Sequence, residues 1–165
     1  MAPVLRGMVA AVAWASCLGA ALPPGVLASP AGEHAPGGGA GHPAQPVKPT
    51  SPEAYASARP SEAGVFRVSY RSNPAALPLN ALHAWTLTVE TAAGEPVKEA
   101  EIAVHATMPE HGHGMPTKPA VTKSFGDGTY LVEGLKFSMP GWWVLTFKIH
   151  AGEMSDVATF HVQLD

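Results

Sequence analysis

From about residue 64 onward the sequence alternates apolar and polar positions with a period of two, and short clusters of turn-forming residues interrupt the alternation. Such a chain presents one apolar face per strand and has to bury it against another sheet, because no stretch keeps a helical period long enough to offer a helix as cover. Seven strands are expected, over 65–71, 83–91, 100–107, 119–124, 129–137, 142–150 and 155–164. Their inward positions carry Phe66, Val68 and Tyr70; Trp85, Leu87 and Val89; Ile102, Val104 and Ala106; Trp143, Leu145, Phe147 and Ile149; and Ala158, Phe160, Val162 and Leu164. Residues 92–96 read as one turn, and Gly126-Asp127-Gly128 as a tight hairpin. The chain has one cysteine, so the disulfide that commonly joins two such sheets cannot form and an aromatic core has to hold them. The expected fold is all-β, a seven-stranded antiparallel immunoglobulin-like sandwich over residues 62–165.

The rest of the chain reads differently. Arg6 is followed by an apolar run to Leu22 that is too short to span a bilayer but fits the apolar part of a secretory leader. Val26-Leu27-Ala28 offers a cleavage site after Ala28, so residues 1–28 are expected to be a signal peptide. Two other routes keep the chain at a membrane: acylation of Cys17 as a lipoprotein, or an uncleaved leader. All three lead to a periplasmic or secreted location. Residues 29–61 are rich in Gly, Pro and Ala and have little to bury, as in a disordered tether. His34 and His42 within it are expected to be solvated. The net charge of -3 becomes more negative once Arg6 is removed, which argues against a nucleic-acid partner.

One segment carries unusual chemistry. Met108-Pro109-Glu110-His111-Gly112-His113-Gly114-Met115 gathers two imidazoles and two thioethers between glycines and prolines. In an extended stretch, His-x-His places both rings on one side, about 6–7 Å apart. Thioether sulfur is soft and suits Cu(I), while imidazole serves copper and zinc. A mature chain without cysteine that mixes Met and His is therefore a copper candidate first. Alternating strand direction sends the third-to-fourth and fifth-to-sixth connections to one end of the sandwich, bringing Met139 near the loop and placing His83 at the start of its strand there. The candidate ligands are Met108, His111, His113, Met115, Met139 and His83. Met108 equally continues the inward period of its strand, Met139 could plug the core, and His83 could be a strand-start residue. His105, His150 and His161 fall on outward faces and are expected to be solvated. No nucleophile elbow, phosphate loop, zinc-protease motif or paired carboxylate is present, and neither an enzyme nor a small-molecule substrate is expected.

Together, Gly94-Glu95-Pro96-Val97, the Met108–Met115 run, the stretch from Gly126 to Phe137 and Met139-Pro140-Gly141-Trp142-Trp143 resemble the YtkA-like and FixH-like domains of bacteria. The resemblance covers roughly residues 65–164. It implies an exported immunoglobulin-like domain linked to copper handling or to assembly of copper-containing respiratory oxidases, with Met108, His111, His113, Met115 and Met139 as the matching positions. Unlike the membrane-anchored FixH type, this chain has a cleavable-looking leader and a long tether. The expectation is an exported Cu(I) carrier serving a copper-acceptor or other envelope protein. The alternative is a metal-free interaction module that docks through a Met/Trp rim, with Trp142 turned outward beside it.

Overall fold

A computed structural model describes residues 46–165; residues 1–28, expected to be a leader, with Cys17, and His34 and His42 lie outside the described residues. Two antiparallel sheets face each other. The first contains β1 (Ala58–Pro60), β2 (Phe66–Asn73), β3 (His83–Thr91), β7 (Thr129–Leu135) and β6 (Ala120–Ser124), in the order β1-β2-β3-β7-β6. The second contains β5 (His113–Gly114), β4 (Glu101–Met108), β8 (Gly141–Ala151) and β9 (Met154–Leu164), in the order β5-β4-β8-β9. The expected all-β sandwich is therefore present, with nine strands among the described residues rather than seven.

The period-two faces become the core. Trp85, Leu87, Val89, Trp143, Leu145, Phe147, Ile149, Ala158 and Phe160 are fully buried between the sheets. Aromatic packing stands in for the missing disulfide. Tyr70 stacks on Trp85 with centroids 3.9 Å apart, and Phe137 meets the Trp143 ring edge-on at 5.4 Å. The hairpin at Gly126-Asp127-Gly128 closes through Phe125 N–H to Thr129 O, with Asp127 Oδ1 accepting the Thr129 N–H.

The two additional strands come from segments in which alternation cannot be read. β1 lies within the stretch expected to be tether. It pairs with β2 in the register Ala58↔Ser69 to Pro60↔Arg67, and is too short and too Pro-rich to show a period. The chain then crosses to the other sheet, where the Glu62 N–H bonds the Val157 carbonyl of β9. Buried Asp156 anchors the crossing by accepting from Ser61 Oγ at 2.6 Å and from the N–H groups of Ala63, Val65 and Val157. Burial alone would raise its pKa, but these four donors outweigh that and hold the carboxyl below its ordinary value. β5 is the other addition, paired Thr107↔Gly114 and Met108↔His113 at the end of β4.

Trp142 corrects the expectation of an exposed aromatic. It points outward but is only 1% exposed. Its indole N–H donates to His161 Nδ1 at 3.1 Å, and the His161 ring meets Tyr55 at 6.2 Å, from the 3-10 turn Pro52–Tyr55 that packs on β9. His161 is therefore half-buried rather than solvated, whereas His105 and His150 are exposed as expected.

Candidate functional site

Antiparallel pairing fixes which chain ends meet. His83 at the start of β3 pairs with Leu135 at the end of β7, and Thr107 near the end of β4 pairs with Val144 near the start of β8. The loop following β4 and the link between β7 and β8 therefore leave the sandwich at one rim, where β3 begins. The convergence expected from strand order holds for all six candidate positions.

The loop itself is not extended throughout. Pro109–His111 forms a 3-10 turn, and the Gly112 N–H bonds Met108 O at 3.0 Å. Gly112 takes a left-handed conformation, φ 67°, and β5 follows. A side chain at that φ is disfavoured, which accounts for glycine between the two histidines. The bend leaves both rings exposed with centroids 5.9 Å apart. Two imidazoles on one ion, each nitrogen about 2 Å from the metal, have centroids roughly 5–6.5 Å apart over angles from tetrahedral to linear. The observed spacing lies in that range.

Two of the rim histidines have a carbonyl partner that fixes which ring nitrogen donates. His113 Nδ1 lies 3.0 Å from the Gly114 carbonyl and His83 Nδ1 lies 3.2 Å from that of Ala81. A carbonyl can only accept, so each Nδ1 carries a proton, and in the neutral ring Nε2 is the nitrogen that presents a lone pair. His83 is 7% exposed, and its Nε2 is buried without a hydrogen-bond partner. Burial lowers its pKa, with partial opposition from the Ala81 carbonyl, and so favours the neutral ring.

The thioethers differ from one another. Met108 is fully buried, and a Cβ on Gly141 (φ 125°) would run into its Cε methyl; its packing role is thus explicit. Met115 is half-buried, and its sulfur accepts the Lys136 N–H at 3.1 Å. Met139 is half-buried, and its carbonyl accepts the indole N–H of Trp143 at 3.1 Å. Trp143 also meets His113 edge-on at 6.0 Å, while Phe137 lies 5.2 Å from His83. A wall of Trp143 and Phe137 therefore runs under the rim from His113 to His83. Sequence reasoning placed Trp143 in the core without a role at the site; the hint was its place two residues after Met139-Pro140-Gly141. Among the described residues no three His, Cys, Asp or Glu side chains come together as a metal cluster.

These features define a small β-sandwich domain with a His/Met rim at one end. The chain belongs to the YtkA-like family, whose profile matches residues 66–148. No curated protein matches it. A solved structure of a DUF4426 family protein from Pseudomonas aeruginosa PAO1 is similar, with 21% identity and a TM-score of 0.46 over 61% of this chain and 91% of that one.

Proposed function

We propose that this domain carries copper as Cu(I), held at the rim by the exposed pair His111 and His113 with thioether sulfur from the neighbouring methionines. The observation that carries this reading is the pair itself: two exposed rings 5.9 Å apart, one with its Nδ1 engaged by a backbone carbonyl so that Nε2 is the nitrogen left to bind. The donor set fits. Imidazole and thioether are neutral and suit Cu(I), whereas structural zinc usually takes four ligands in which thiolates are prominent, and the folded domain has no cysteine. Copper is cargo in this account. The chain's residues bind the ion, orient it and release it by ligand exchange, without a catalytic step. Exposure of both imidazoles leaves room for an acceptor protein's ligands to reach the ion before the first donors let go. The leader-like run after Arg6 supports placing that exchange outside the cytoplasm, as does the copper-handling role that the resemblance implies.

Docking through a Met/Trp rim fits less well, because Trp142, Trp143 and Met108 are all buried. The test is anaerobic titration of the protein with Cu(I) against a chromophoric chelator. The wild type should withdraw one equivalent, and His111→Ala/His113→Ala should withdraw none while melting at a similar temperature. Equal competition by the double variant would refute the site.

A further inference from the structure

Trp143 occupies an unusual position for a core residue. It is fully buried and inward-facing near the start of β8, yet it touches two separate parts of the rim, the loop after β4 and the β7–β8 link. Its ring meets His113 in an edge-to-face arrangement at 6.0 Å and Phe137 of the β7–β8 link at 5.4 Å, and its Nε1–H donates to Met139 O at 3.1 Å. A phenyl ring could fill much of the same space but has no donor. The hydrogen bond matters because the β7–β8 link is short and Met139 is half-buried within it. Fixing the Met139 carbonyl fixes that peptide plane, and with it the direction in which the thioether leaves the backbone. On the other side, the indole limits how far the His113 ring can tilt, while the Gly114 carbonyl holds its Nδ1–H.

We infer that Trp143 is a positioning residue for the rim, holding His113 and Met139 at a set spacing so that imidazole and thioether serve the same ion. The inference rests on the copper reading above and adds a residue to it. Trp143 contributes no ligand atom. It couples the two loops, so loosening one of its contacts changes how the other donor is presented. His113 and Met139 come from segments with no backbone pairing to each other among the described residues; the indole bridges them, beside the Met115 sulfur that accepts the Lys136 N–H.

The test compares wild type with Trp143→Phe, using methionines labelled with carbon-13 at the methyl group and Cu(I) as the probe. Trp143→Phe should keep the fold, judged by near-UV circular dichroism and a melt. In the metal-free protein it should speed amide exchange around Met139. Its Cu(I) affinity should fall about tenfold, the scale of one buried hydrogen bond. The Met139 methyl resonance should respond to Cu(I) in the wild type and lose that response in the variant, while the His113 ring still responds. A role in packing alone would not selectively silence Met139. Wild-type affinity with an unchanged Met139 response would overturn the inference, as would weakened affinity with the response intact. If the wild type itself takes up no Cu(I), the functional reading fails first, and the absence of any ring response at His111 and His113 identifies that failure.

Discussion

At the scale of single residues, the rim depends on a few positions whose chemistry allows little substitution. Gly112 turns left-handed between the two histidines, so Gly112→Ala should cost about 1 kcal/mol and shift the ring spacing. A modest drop in melting temperature together with a several-fold loss of Cu(I) affinity is the expected outcome. An affinity equal to wild type would show that the spacing of this pair does not set binding. Asp156 is a different case, because it accepts hydrogen bonds from four donors at the crossing between the sheets. Asp156→Ala leaves buried donors without partners and should cost about 3 kcal/mol, readable as a lower urea midpoint, with the rim untouched.

At the scale of elements, the alternation made the long strands legible. The inward residues of β3, β8 and β9 are those that a period of two selects. Strand pairing then brought His83, Met115, Met139 and the two loop histidines to one rim, an outcome available from strand order alone. The elements that escaped were short. β1 spans Ala58–Pro60 and is defined by its partner β2, not by its own pattern, while β5 is two residues long. The orientation of Trp142 was legible, since it faces outward as its period requires. Its burial was not, because the cover comes from residues 46–61, a segment that reads as tether. Arg59 Nη1 donates to Thr159 O at 2.7 Å in the same segment, and Tyr55 reaches His161. Deleting residues 46–60 should therefore expose Trp142, red-shift the tryptophan emission and lower the melting temperature. An unchanged emission maximum would mean that the segment is not its cover.

For the whole molecule, stability should depend on pH through groups buried on both sheets. His161 and His83 have pKa values lowered from the ordinary 6.5, in each case first by burial, with the positive charge of Arg59 adding to the effect at His161. The folded state then binds these protons less readily than the unfolded chain does. Their contribution is complete above the ordinary histidine value and is lost as pH falls below it toward the lowered folded values. Asp156 is lowered as well, so its contribution persists further and is lost only as pH falls below the ordinary carboxylate value of 3.8. The urea midpoint should accordingly fall from pH 7.5 to pH 5.5. His161→Gln keeps an acceptor for the Trp142 indole and should flatten that slope. A midpoint that rises on acidification would reverse the assignment. The same burial keeps His83 neutral with Nε2 free, the state a soft cation needs from an imidazole.

The central claim is that two rim histidines and thioether sulfur hold one Cu(I) ion. X-ray absorption at the copper edge of the anaerobically loaded protein tests it most directly, because imidazole and sulfur scatter distinctly. The account predicts the multiple-scattering pattern of two imidazoles with at least one sulfur in the first shell, and no copper retained by His111→Ala/His113→Ala. A first shell of oxygen and nitrogen without sulfur, or an unchanged spectrum in the double variant, would contradict it.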